Sequence, residues 1–193
     1  MPRAGLTADR VVDAAAALAD EIGLDRVTVS ALARGFGVKD ASLYAHIKNL
    51  ADLRERLALT CTAEFADRLG AGIAGRSGRD ALAGFADAYR DYAAQHPGRY
   101  AATQLQLPDE VTAGSPAHRR VIDYTYAVFR AYDLTEPDLT DAVRLVRSTL
   151  YGFTALEADA AFRAPRDRDA SWGRILAALH TLLSQWPRRP DEA

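Results

Sequence analysis

Thr28-Val29-Ser30-Ala31-Leu32-Ala33-Arg34-Gly35-Phe36-Gly37-Val38-Lys39-Asp40-Ala41-Ser42-Leu43-Tyr44-Ala45-His46-Ile47 is the stretch that decides the fold. Thr28 is a helix N-cap residue type. Val29, Leu32, Ala33 and Phe36 follow at i, i+3, i+4 and i+7, the spacing of a helix with one buried face. Gly37 supplies the left-handed backbone of a tight turn and ends that helix. A second short helix is expected from Lys39 or Asp40 to Ile47, burying Leu43 and Ile47. Two short amphipathic helices joined through a glycine-containing turn make a helix-turn-helix, whose second helix can enter a major groove. The same layout also suits a plain helical hairpin inside a bundle.

The outward residues favour the groove. A helix that approaches bases closely needs small or polar side chains there, and Ala41, Ser42 and Ala45 meet that need. Residues 26 to 48 hold Arg26, Arg34, Lys39 and Lys48 against Asp40 alone, a local net of +3 in a chain of net −2. Arginine outnumbers lysine 22 to 2, and both lysines flank the second helix of the motif.

Working outward, helical patterns fill the chain. The first helix spans Thr7 to Gly23, with Val11, Ala15, Leu18 and Ile22 on one face. A fourth opens at Asn49 with Asp52 three residues on, a capping pair, and carries Leu50, Leu53, Leu57, Cys61, Phe65 and Leu69. Gly70 to Gly78 is the candidate boundary or kink. A fifth helix starts at Ser77 and a sixth spans Tyr100 to Leu107; Pro108 to Ser115 reads as a polar loop. Ser115-Pro116 opens a seventh, Thr135-Glu136-Pro137 an eighth lasting to Phe162, and Ser171 a ninth ending at Gln185. The tail from Pro187 is expected to fray. No run alternates at period two, so the fold class is all-α: a three-helix DNA-reading domain with the helix-turn-helix, joined by a long helix to a second helical part. The expected domains are 7–54 and 55–187.

The motif resembles the N-terminal domain of the TetR family of bacterial transcriptional regulators. The matching features are the Gly37-Val38 turn, Leu43-Tyr44-x-His46, the preceding helix ending at Gly23, and Ile47-Lys48-Asn49 followed by Leu53. The resemblance implies phosphate contacts by Tyr44 and His46, and phosphate or groove contacts by Thr28 and Ser30. It places Asp40, Ala41, Ser42 and Ala45 at base-facing positions. Two residues depart from the pattern: Lys39 stands where the family usually has Ser or Thr, and Leu50 where it usually has Lys, so Lys48 is expected to take over that phosphate contact. Asp40 near bases can accept from a cytosine amino group, or simply stabilise the start of its helix. Further on, Ala94-x-His96-Pro97 and Leu150-Tyr151-Gly152-Phe153-x-x-Leu156-Glu157 resemble the WHG subgroup of TetR C-terminal domains. Gly152 is kept there, while Tyr151 stands in the His position and Arg147 near the Trp position.

Other classes find little support. One cysteine excludes an internal disulfide framework. His46, His96, His118 and His180 are scattered, without HxxxH or HExxH spacing, so no metal site and no cofactor are expected. No catalytic signature occurs, and the chain is read as a non-enzyme. A helical interaction protein, or a helical enzyme without metal or operator, is the competing reading. No long apolar run or targeting segment is seen, so a cytoplasmic protein with no membrane association is expected.

The function expected is sequence-specific binding of a double-stranded, palindromic operator by a homodimer, a repressor released by a small apolar or aromatic effector. Tyrosines cluster in the second part, and a hydroxyl needs a partner when buried. Tyr89, Tyr92, Tyr100, Gln104, Tyr124 and Phe153 are therefore the expected effector lining. The expected dimer interface is Val143, Val146, Leu150, Leu176, Leu179 and Leu183, on the apolar stripes of the last two helices.

Overall fold

The computed structural model describes residues 6–187; the expected fraying beyond Pro187 concerns residues 188–193, which lie outside them. The described residues form ten α-helices and no strand. They are α1 (Ala8–Ile22), α2 (Val29–Phe36), α3 (Asp40–Leu43), α4 (Leu50–Ile73), α5 (Gly78–Gln95) and α6 (Pro97–Thr103). Then come α7 (Asp109–Gly114), α8 (Pro116–Phe129), α9 (Asp138–Ala158) and α10 (Arg168–Ser184), with a 3-10 turn at Leu24–Arg26. The chain divides into two compact units, Met1–Asp67 with Gln95–Arg120, and Arg68–Ala94 with Val121–Ala193.

In the first unit the side-chain caps are those the residue types suggest. The Thr7 hydroxyl accepts from the Arg10 N–H at 3.2 Å, and Thr28 accepts from the Ala31 N–H at 3.1 Å. Gly23 and Gly37 end α1 and α2 at φ of 89° and 67°. The core joins Val11, Val12, Ala15, Ala16 and Ala19 of α1 to Leu32, Leu43, Ile47, Leu53, Leu57 and Cys61. Each large aliphatic side chain fully buried there contributes about 1.5–3 kcal/mol.

Helix α6 belongs to this core through Ala102. It starts at Pro97, earlier than the expected Tyr100, because proline fits the first position of a helix, directly after α5 has ended at Gln95. The cap comes from far away in sequence: Asp20 Oδ1 on α1 accepts from the Arg99 N–H at 2.9 Å. Gly98 is buried against α1, where a methyl group would run into the backbone of Ala19 and Asp20. Arg99 Nε lies 3.1 Å from Asp20 Oδ2, but its N–H is not aimed at that oxygen, so this is a charge contact. Arg99 Nη1 donates to Glu64 on α4 at 3.2 Å. The Pro108–Ser115 stretch is not all loop: Asp109–Gly114 forms α7, with Asp109 and Glu110 favouring its positive end.

In the second unit, glycines set the approach of α4 to its neighbours. Gly72 and Gly84 face each other so closely that a methyl group at either would meet the other's backbone. The ring of Tyr124 lies over Gly70, with carbons 2.9 Å from where a Cβ would sit. The glycine-rich segment therefore includes the last turns of α4, and the turn follows at residues 74–77.

Helices α5, α9 and α10 share a polar and aromatic cluster. Arg90 donates to both oxygens of Glu157, at 2.6 and 2.7 Å, and also pairs with Asp169 at 2.8 Å. Its guanidinium lies over the Phe153 and Trp172 rings, and Trp172 Nε1 donates to Asp87 at 2.7 Å. Helix α9 stops at Ala158, short of the expected Phe162. Ala160 takes φ of 50°, and the Ala161 N–H returns to the Leu156 carbonyl at 2.8 Å. Phe162 then folds back to Phe153, with centroids 4.9 Å apart.

The expected dimer stripe lies within the packing of these helices. Val146, Leu150, Leu176, Leu179 and Leu183 are buried by the chain's own packing, and Val143 is half-buried. Three-and-four spacing marks a buried face without saying what buries it. The faces that α9 and α10 leave open carry Tyr151 and Leu182, 49% and 39% exposed.

Candidate nucleic-acid interface

The helix-turn-helix presents the expected residues outward. Thr28, Ser30, Lys39, Asp40, Ala41, Ser42, Tyr44, Ala45 and Lys48 are exposed, and His46 is half-buried. Beneath them Leu43 and Ile47 are 0% and 2% exposed, which fixes the outward face against the core. Tyr44 is 53% exposed, a large aromatic side chain held out by a buried neighbour on each side of the turn.

The motif is tighter than the sequence suggests. Helix α3 is a single turn, Asp40–Leu43, rather than a helix to Ile47. Lys39 occupies the N-cap position and offers no side-chain acceptor, so the first turn is held by the Ser42 N–H bonded to the Lys39 carbonyl at 2.9 Å. The His46 and Ile47 N–H groups both return to the Leu43 carbonyl, at 2.8 and 3.0 Å, and residues 44–46 form a turn.

A capping pair closes the motif on α4. Asn49 Oδ1 accepts from the Asp52 N–H at 2.9 Å, and Asp52 Oδ2 accepts from the Lys48 N–H at 3.0 Å. The bond from the Lys48 backbone, with Arg56 beside it, holds the Asp52 carboxyl below its ordinary range. Lys48 is thus anchored by its backbone while its side chain stays exposed. Leu50, where the family pattern has Lys, packs against the core instead.

Ser30 and Asp40 meet across the motif. The Ser30 hydroxyl on α2 donates to Asp40 Oδ2 on α3. Sequence spacing carries no sign of this pair, because the chain between them passes through the turn.

The expected effector residues fall in both units. Tyr89, Tyr92, Tyr124 and Phe153 belong to the second, and Tyr100 and Gln104 to the first. Tyr89, Tyr92 and Phe153 are buried; Phe153 packs with Trp172, Phe162 and Arg90. Tyr100 stands edge-on to Phe65 with centroids 6.2 Å apart, and Gln104 donates to Thr103 at 2.7 Å. Sequence reasoning missed Thr62. It is 4% exposed on α4, and its hydroxyl has no hydrogen-bond partner.

An exposed, locally basic helix-turn-helix on an all-α chain defines a DNA-binding transcriptional regulator. Residues 11–57 match the family model for bacterial regulatory proteins of the tetR family, and 82–179 match one for a tetracyclin repressor-like C-terminal domain. The HTH-type transcriptional regulator YobS of Bacillus subtilis is 35% identical over 166 residues, 86% of either chain. The HTH-type regulator Rv0681 of Mycobacterium tuberculosis is 35% identical over 155 residues, 80% of this chain and 71% of its own. Among solved structures, the Streptomyces coelicolor TetR family protein ActR, in complex with (S)-DNPA, shares the fold. Its TM-score is 0.65 at 17% identity, covering 95% of this chain and 100% of its own. The chain belongs to the TetR family of regulators. Among the described residues no helix is long and apolar enough to cross a membrane.

Proposed function

We propose that this regulator is a cytoplasmic, homodimeric repressor that leaves a palindromic operator when a small apolar or aromatic ligand binds. DNA reading rests on residues 7–54, and effector binding and dimerisation on 55–187. The carrying observation is the outward face: nine of the ten expected contact residues are exposed above buried Leu43 and Ile47. One short helix reads few bases, so a two-fold partner is needed for a full site. Tyr151 and Leu182, on the open faces of α9 and α10, support that partner surface.

The unpartnered Thr62 hydroxyl supports a ligand. A buried hydroxyl without a hydrogen bond costs about 1–3 kcal/mol, which a ligand with one acceptor or donor recovers. The same unit holds Tyr100 and Gln104 of the expected lining, and ActR in complex with (S)-DNPA is a precedent for small-molecule binding on this fold.

The test is a mobility-shift assay on duplex selected from a random pool, followed by a thermal-shift screen of aromatic metabolites. A compound that raises the melting temperature should release the duplex, and Thr62→Val should weaken that compound's binding. Binding of all duplexes equally would overturn DNA reading by sequence. Release by a ligand whose affinity survives Thr62→Val, Tyr100→Ala and Gln104→Ala would overturn the effector placement.

A further inference from the structure

Asp40 is an anion on the face that meets a polyanion. Its carboxylate is exposed on α3, flanked by the small Ala41 and Ser42, and one oxygen accepts from Ser30 on α2. The second oxygen, Oδ1, has no hydrogen-bond partner among the described residues. Phosphates repel such a group, so it is favourable at the interface only when aimed at a donor. In the major groove the available donors are the cytosine N4 and adenine N6 amino groups. Adenine presents its amino group beside the N7 acceptor, which repels a second carboxylate oxygen. Cytosine presents a donor without that neighbour.

We propose that Asp40, oriented by Ser30, reads the N4 amino group of a cytosine at one position of each operator half-site. This rests on the reading of the motif as the DNA interface. Ser30 is then a positioning residue rather than a phosphate contact, because its single hydroxyl proton is committed to Asp40. Removing the Ser30 hydroxyl lets the Asp40 side chain sample other rotamers and blurs the readout, while a threonine in the same place retains it.

The experiment is selection of bound duplex from a random pool by the full chain and by Asp40→Ala, Asp40→Asn, Ser30→Ala and Ser30→Thr. Helical content is checked for each by circular dichroism. The wild type is expected to prefer cytosine about 5- to 100-fold at one symmetric position of its motif. Asp40→Ala should lose the preference at that position alone and tighten on mismatched sites. Asp40→Asn should shift it towards adenine, to which an amide can bond in two places. Ser30→Ala should weaken the preference, and Ser30→Thr should restore it. A motif unchanged in Asp40→Ala overturns the proposal and leaves the interface intact. A wild type that enriches no sequence overturns both. Preference loss in Asp40→Ala with full preference in Ser30→Ala overturns the role of Ser30.

Discussion

Replacing Gly98 by alanine should destabilise the first unit, although the same change usually helps a helix. Intrinsic propensity favours alanine over glycine by up to about 1 kcal/mol. Gly98, however, is pressed onto α1, where the added methyl group meets the backbone of Ala19 and Asp20. Those atoms cannot swing aside as a side chain can, so α6 must retreat by ~1 Å or the strain stays, at about 1–3 kcal/mol. A retreat of that size stretches the 2.9 Å bond from the Arg99 N–H to Asp20 beyond hydrogen-bond range. Losing that cap costs about 1 kcal/mol more. The net expectation is a loss of about 1–3 kcal/mol, or about 2–10 °C in melting temperature for a chain of this size.

Gly35→Ala is the matched control. It lies in α2 of the same unit, and a Cβ there meets nothing within 4 Å. It should stabilise by about 0.5–1 kcal/mol. Urea unfolding followed by circular dichroism gives both values at pH 7. Opposite signs are the signature of backbone contact at Gly98. If Gly98→Ala is as stable as wild type, or both variants shift upward together, the close approach of α6 to α1 is refuted.

The other predictions concern the two units separately. Glu157→Gln should cost about 1–4 kcal/mol at pH 7, because the 82–84% shielded Arg90–Glu157 pair loses one charge and leaves the other poorly paired. The Arg90 bonds hold the Glu157 carboxyl below its ordinary value of 4.5, so this stability is present above that pH and lost as pH falls through the lower folded value. Stability against pH should therefore show the wild type and Glu157→Gln converging in acid, and a constant gap would refute the linkage. Asp169→Ala, removing the 82% exposed partner of the same arginine, should change stability by less than ~1 kcal/mol in the same titration. Burial pushes the Cys61 thiol up to about 12, so iodoacetamide at pH 8 should label it only in denaturant; rapid native labelling would contradict its packing. Ala160→Gly should stabilise by about 0.5–1 kcal/mol, since glycine adopts φ of 50° without strain, and an unchanged urea midpoint would count against that conformation.

Features written locally in the chain are the ones legible in the sequence. Thr7, Thr28 and the Asn49–Asp52 pair cap helices as their residue types suggest, and Gly23 and Gly37 take positive φ where turns are expected. The features that escape sequence reading depend on distant partners or on short length. Asp20 caps α6 from 79 residues away, so the residues around Pro97 carry no local sign of where that helix starts. The six residues of α7 are too few for periodicity to register. Asp167 caps α10 through the Ala170 N–H at 2.7 Å, starting that helix before the expected Ser171. On α9 and α10 the apolar spacing correctly marks a buried stripe, but sequence cannot say whether a core or a second copy buries it. Ser30 with Asp40, and Thr62 without a partner, are properties of three-dimensional placement alone.

The net charge of −2 is compatible with DNA binding because charge acts at short range here. Residues 26–48 carry +3 and the remaining chain −5. At physiological salt the screening length is about 8 Å, so a phosphate at the motif responds to that exposed face and little to distant carboxylates. On the proposed reading, long-range steering is correspondingly weak, and non-specific affinity rests on a few cations at the motif, of which Lys39, Lys48, Arg26 and Arg34 are exposed. A regulator with a shallow electrostatic background gains discrimination from short-range readout. An acidic residue at the reading surface fits that design: Asp40 lowers affinity for every sequence that fails to offer it a donor, and the basic residues around it make the correct sequence tolerable. Lys48→Ala should accordingly weaken all duplexes alike and lower the salt slope by about one unit, the share of a single phosphate. Asp40→Ala should instead raise affinity for mismatched duplexes and flatten the difference between them and the operator. Salt titrations of both variants on the operator and on a scrambled duplex separate the two effects, and a sequence-dependent loss in Lys48→Ala would refute its assignment to the phosphate backbone.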